Sequence, residues 1–274
     1  MTIDVIDGAL YKIVEKGADL EDPESVKDTL ARHKFGDQTK RAIIIAYTTF
    51  LKMNGKQWQR PTITITRKLP FIPLEREIDD LIAGSGKKTA SFLQLLKETG
   101  MRAGEGIRIK WTDIDTERNT ITLNEPEKNG NPRIFKVSPK LLSMIERLPK
   151  TSQRIFNCTY TSLKTSLRFS RKRISRNLNN PRLLKITFHT LRHWKATMEY
   201  HQTKDILHVK ELLGHRKLDT TTMYIQIAEA LFQHEPEAFT VKVAKTQEEI
   251  TAHLQVGFEW IGEKDGLVFL RKRK

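Results

Sequence analysis

At 274 residues with 38% hydrophobic side chains, the chain is long enough to bury one large core or two unequal ones. A formal charge of +15 and a pI near 9.8 exceed what solubility requires and point to a polyanionic partner, nucleic acid ahead of a membrane surface. The single cysteine, Cys158, excludes an internal disulfide framework and a cysteine-rich zinc site, and fits a reducing compartment.

The N-terminal stretch is acidic up to about residue 35 and predicts two short helices, the second opened by "DPES" with Pro23 in its first turn. A third helix is predicted from Asp37 to Met53, with Ile43, Ile44, Tyr47, Phe50 and Leu51 at helical spacing and Lys40 and Arg41 opening a basic face. Its apolar run at 42–51 is too short to span a bilayer, and "MTIDVIDGALYK" has no basic start followed by an apolar stretch. The expectation is a soluble, untargeted protein of the cytoplasm with no membrane contact. "QWQRPTITITRKLPFIPLE" cannot continue a helix and reads as a linker carrying Arg67 and Lys68.

A larger domain is predicted to begin with Pro73 in the first turn of "PLEREIDDLIAG", followed by a helix over "KTASFLQLLKETG" that Gly100 closes. "NTITLNE" and "RIFKVS" alternate around "PEKNGNP", where the Asn-Gly step predicts a tight β-hairpin. Helices resume at Ser138. "TSLKTSLRFSRKRISRNL" carries Lys164, Arg168, Arg171, Lys172, Arg173 and Arg176 with no acid, which predicts a helix facing phosphates. The C-terminal stretch reads as strand, helix and a hairpin across "KDG".

Two motifs fail on inspection. "GSGKKT" lacks the glycine spacing of a phosphate loop and follows a helix instead of a strand; His189 and His193 lie one turn apart, but no glutamate occupies the second position of a zinc motif. Metal-free cleavage of a phosphodiester needs an oxygen nucleophile, cations around the phosphorane oxygens and a proton donor for the leaving sugar oxygen. Tyr224 can supply the phenol, while Arg102 and Arg192 can supply two planar cationic forks.

These residues occur in stretches that resemble the tyrosine recombinases, or phage-type integrases, and the N- and C-terminal extensions look most like those of archaeal members. The resemblance covers about residues 37–230. "ETGMRAGEGIRIKWTDID" is similar to the segment bearing the first arginine, which gives Arg102 that role and makes Glu105 its acidic brace. "EKNGNPRIFKVS" resembles the hairpin of the mobile lysine and makes Lys128 the general acid. "FHTLRHWKAT" matches the histidine and second arginine, His189 and Arg192; "LLGHRKLDTTTMYIQ" gives His215 and the nucleophile Tyr224. Gly104 and Gly106 depart from the first motif's usual helix formers and predict a looser helix start, and the N-terminal unit has fewer helices than is common in the family.

The predicted elements, together with the resemblance, give a mainly α chain with a small β-sheet (α+β): a helical core-binding domain over 1–60, a linker over 61–71, a catalytic domain over 72–234 and, from the pattern of the tail alone, a β-α-β-β appendage over 235–274. By its chemistry the resemblance further implies strand exchange through a 3′-phosphotyrosyl bond, with double-stranded DNA and further copies of the chain, a tetramer on paired sites, as partners. No metal and no small-molecule cofactor is implied, and the place of action is the nucleoid. Two alternatives stay open: a type IB topoisomerase with the same chemistry, and a catalytically silent DNA-binding accessory protein.

Overall fold

Three helices form where the N-terminal periodicity places them: α1 (Ile3–Val14), α2 (Pro23–Arg32) and α3 (Asp37–Met53). Asp22 starts α2 by accepting hydrogen bonds from the backbone N–H groups of Glu24 (3.0 Å) and Ser25 (3.3 Å), and Pro23 follows where a missing N–H leaves no bond unmade. Ile43, Ile44, Tyr47 and Leu51 bury one face of α3 in a cluster with Ile13, Val26 and Leu30 from the first two helices. A fully buried phenol requires a partner, and Tyr47 donates its hydroxyl hydrogen to the Leu20 carbonyl at 3.0 Å while Trp58 packs edge-on against its ring. The computed structural model describes residues 2–64, 69–218, 221–232, 239–264 and 266–273; Arg67 and Lys68 lie outside the described residues. The chain divides between Leu69 and Pro70 into this helical unit and a larger one.

The larger unit begins with α4 (Glu75–Ala83) and α5 (Lys87–Thr99). Pro73 does not sit in the first turn of α4 as the sequence reading expects. Leu74 is the N-cap, and its N–H donates to the Glu77 carboxylate at 2.9 Å, so the helix starts beyond the proline. Phe92, Leu93, Leu95 and Leu96 bury α5 on nearly every side against α7 (Pro139–Glu146), α8 (Tyr160–Asn177) and α9 (Phe188–Thr203). Phe156 and Phe188 meet the Phe92 ring edge to face at 5.0 and 5.2 Å, the geometry that ring quadrupoles favour. Gly100 ends α5 in the left-handed conformation, as predicted.

Strands β1 (Ile114–Asp115), β2 (Thr120–Leu123) and β3 (Arg133–Lys136) form an antiparallel sheet in that order, with Ile121, Leu123 and Phe135 on its buried face. The tight Asn-Gly reversal is a correction: residues 124–132 separate β2 from β3, a 3₁₀ turn spans Glu127–Asn129, and Lys128 and Asn129 both have positive φ (56° and 55°) while Gly130 is extended. Tertiary contacts decide this shape, because the Glu127 N–H donates to Glu105 and the Glu127 carboxylate pairs with Arg108. The short α6 (Ala103–Arg108) precedes the sheet; α10 (Ile206–Leu213) and α11 (Met223–Phe232) follow α9. At the C-terminus β4 (Phe239–Ala244), α12 (Gln247–Gln255), β5 (Glu259–Lys264) and β6 (Leu267–Arg273) form a second antiparallel sheet, order β4-β6-β5, with its own core of Ala244, Val268 and Leu270.

Candidate active site

Arg102 is the N-cap of α6, and the loose start expected from Gly104 and Gly106 does not occur. Glu105, wholly buried, accepts from the Arg102 N–H (2.8 Å), from Arg102 Nη1 (2.9 Å) and from the Glu127 N–H (3.1 Å). Burial alone pushes this carboxyl up, but these hydrogen bonds and the Arg133 charge outweigh it and hold the group below the usual carboxylate range. The glycine at 104 has a steric reason: a Cβ there would stand 2.0 Å from Glu127 Oε1. A side chain at residue 104 would therefore have to displace the Glu127 carboxylate, the group that holds the Lys128 loop against Arg108.

Arg192 projects from α9 into the core with 2% exposure. Its Nη1 donates to the Gly100 carbonyl at 2.8 Å and its Nη2 to the Leu213 carbonyl at 2.6 Å, so one guanidinium joins the end of α5 to the end of α10. Burial, then the Arg102 charge, lowers its pKa to about 10, which still leaves it cationic at neutral pH. Gly214 closes α10 with φ 64°, a conformation that glycine adopts without steric cost, and turns the chain so that His215 Nδ1 lies 3.0 Å from Thr221 Oγ1. Burial first, and then Arg192, Arg102 and Arg133, lower the pKa of His215 to about 4.

A cavity of about 680 Å³ is lined by Arg102, Lys128, His189 and Arg192, together with Arg108 and Arg154. His189 remains more than a third open to solvent, yet desolvation of the rest of its ring, followed by the Arg192, Lys128 and Arg102 charges, lowers its pKa. The imidazole at this groove is therefore neutral at physiological pH and able to accept a proton. Tyr224 does not line the cavity. It lies on α11 with 2% exposure among Ala196, Val209, Leu213 and Ile227, and its hydroxyl is 3.0 Å from His193 Nδ1. Burial pushes the phenol up to about 12, opposed by the Arg192 charge.

His193 is a residue the sequence reading considers only as a metal ligand; its place one residue after Arg192 carries no signal that it meets a tyrosine 31 positions on. Burial, then His189 and Arg192, lowers its pKa to about 4. Arg133, also unassigned from sequence, pairs with Glu105 at 3.0 Å. Among the residues expected to meet DNA, Lys164, Arg168, Lys172, Arg173 and Arg176 are exposed on α8, Arg41 is exposed on α3, and Lys40 is half-buried. Arg171 differs: its Nη1 donates to the Leu184 carbonyl at 3.0 Å and to the Ile186 carbonyl, fixing the 3₁₀ segment Pro181–Lys185. Among the described residues no cluster of metal-ligating side chains forms, and no helix is long and apolar enough to cross a membrane.

The model of the Phage integrase family matches residues 74–230, more than half of the chain. Tyrosine recombinase XerA of Saccharolobus solfataricus is 26% identical over 204 residues, which cover 73% of this chain and 67% of the relative. XerA of Pyrococcus furiosus is 28% identical over 190 residues, covering 66% of each. The chain therefore spans about two thirds of the length of these curated relatives. Among solved structures, a lambda integrase tetramer bound to a Holliday junction shares the fold with a TM-score of 0.62 at 15% identity, over 82% of this chain and 72% of that one.

Proposed function

Because the chain belongs to the phage integrase family, that of the site-specific tyrosine recombinases, we propose that it cuts and rejoins DNA strands at the groove between α6 and α9. The observation that carries this reading is the convergence of Arg102, Lys128, His189 and Arg192 on one cavity, with the phenol of Tyr224 reached through His193 on the same helix as Arg192. In the proposed step Tyr224 Oη attacks the scissile phosphorus, the P–O5′ bond breaks, and a 3′-phosphotyrosyl bond forms. The phenolic proton passes to a neutral imidazole, with His189 the one that faces the groove. Lys128 protonates the departing 5′ oxygen. Arg102 and Arg192 hold the non-bridging oxygens with the N–H groups that remain after others have fixed each guanidinium to the protein, so little reorganisation is needed as charge develops. One phosphodiester bond is exchanged for another without water, and attack by a second strand's 5′ hydroxyl reverses the step.

Double-stranded DNA is the proposed substrate, with the exposed cations of α8 and Lys40 and Arg41 of α3 meeting its backbone. The tetrameric state of the lambda integrase relative supports assembly of four copies on paired sites in the nucleoid. The test is a pool of nicked suicide duplexes with randomised core sequence, incubated with wild-type and Tyr224→Phe protein. A covalent protein–DNA adduct from wild type alone is the expected result. An adduct that persists in the phenylalanine variant, or none from wild type, overturns the reading.

A further inference from the structure

Arg133 is an arginine of β3 with 8% exposure and no part in the chemistry described above. Its guanidinium meets three pieces of the candidate site. Nη2 pairs with Glu105 Oε2 at 3.0 Å, the oxygen that also accepts from the Arg102 N–H. Nη1 donates to the Leu212 carbonyl at 3.2 Å, and Arg192 donates to the next carbonyl, Leu213. The last carbonyls of a helix have no partner within it and form its negative end, so two cations cap α10 immediately before the His215 turn.

The third contact is with the backbone of that turn. A Cβ on Gly214 would stand 2.8 Å from Arg133 Nη1 and 2.9 Å from Cζ, so the guanidinium lies flat against the glycine. The loop of Lys128 packs from the other direction, since a Cβ on Gly130 would be 3.2 Å from the Gly214 carbonyl oxygen. Within the same strand-and-loop unit, Arg133 thus anchors the segment that carries Lys128.

We infer that Arg133 is a positioning residue, holding the Arg102 brace, the Lys128 loop and the His215 turn in one fixed arrangement. This rests on the proposed strand-cleavage reading. It also accounts for a costly feature: Arg133 Nε is buried without a hydrogen-bond acceptor, which a smaller apolar side chain at this position would not leave.

The test compares wild type, Arg133→Gln and Arg133→Lys on the adduct-forming duplexes selected with wild type, reading single-turnover cleavage, duplex binding and thermal unfolding separately. Lysine retains a charge toward Glu105 but has no fork to reach Leu212 at the same time. Glutamine is expected to slow cleavage about 100-fold with half-maximal binding shifted no more than about threefold, because misplacing reacting groups by about an ångström costs that much in rate. Lysine is expected to restore the unfolding temperature while cleavage stays about tenfold or more below wild type. A folded lysine variant that cleaves at the wild-type rate overturns the inference. So does loss of cleavage in proportion to binding or to the unfolded fraction, or failure of both variants to fold, each of which leaves Arg133 a purely structural role. Absence of any adduct from wild type instead removes the strand-cleavage reading itself.

Discussion

The Tyr224 hydroxyl is protonated, buried and 3.0 Å from His193 Nδ1, so the proposed attack requires it to leave this seat for the cationic groove. Both groups of this pair are held uncharged, the phenol by burial above its ordinary range and the imidazole by burial below its own. His193 and His215, each lowered from 6.5 to about 4, have a consequence for stability. Below pH 6.5 the unfolded chain takes up protons that the folded imidazoles refuse until about pH 4, so the unfolded state is favoured as pH falls through that window. The unfolding temperature is therefore expected to drop between pH 6.5 and 4, and His193→Gln or His215→Gln should each flatten the slope. Thermal scans across this range check it; a wild-type curve independent of pH there would count against neutral imidazoles at these two half-buried positions.

Helix α8 separates two uses of arginine that one dense basic stretch conceals. Leu163, Leu167 and Ile174 bury one face, and Lys164, Arg168 and Lys172 step along the exposed side one turn apart. Arg171 falls between these faces and binds backbone carbonyls, so it joins α8 to the segment leading into α9. Arg171→Ala is expected to lower stability by about 1–2 kcal/mol in urea unfolding, because two hydrogen bonds from a charged donor disappear, with little change in the salt dependence of DNA binding. Arg168→Ala combined with Lys172→Ala is expected to do the opposite: unfolding unchanged, and the slope of log affinity against log salt reduced by about 1 for each phosphate that is no longer neutralised. Equal slopes for the two sets of variants would show that α8 does not face DNA.

At the scale of the molecule, with a formal charge of +15, binding of the proposed duplex is expected to fall steeply with salt in step with the phosphates that the exposed cations neutralise, while selectivity must come from fewer and more specific contacts. The helical unit and the C-terminal sheet each have a hydrophobic cluster separate from that around α5, which is the physical basis for treating them as removable modules. The C-terminal sheet exposes Val241, Val243, Trp260 and Ile261, and clustered apolar surface of this kind marks a contact site. Deletion of residues 236–274 is expected to leave binding to a single site within about threefold of the full chain. Joining of paired sites should be lost. Recombination assays beside mobility shifts check this, and full recombination by the shortened chain would assign the module no part in assembly.

The sequence by itself determined the helices and the order of the chemical groups. Apolar spacing places the buried face of α3, Asp22 and Gly100 mark helix ends through local backbone chemistry, and Arg102, Arg192, His215 and Tyr224 stand in short motifs whose residues are neighbours along the chain. The tertiary structure alone decided which of these groups meet. Arg192 reaches a carbonyl 92 positions away, His193 meets a phenol 31 positions away, and the loop of Lys128 opens because Glu127 is drawn toward Glu105 and Arg108. None of these contacts leaves a periodic trace, since a buried cation is located by the carbonyls and carboxylates that compensate its desolvation, and those come from whatever segments the fold brings alongside.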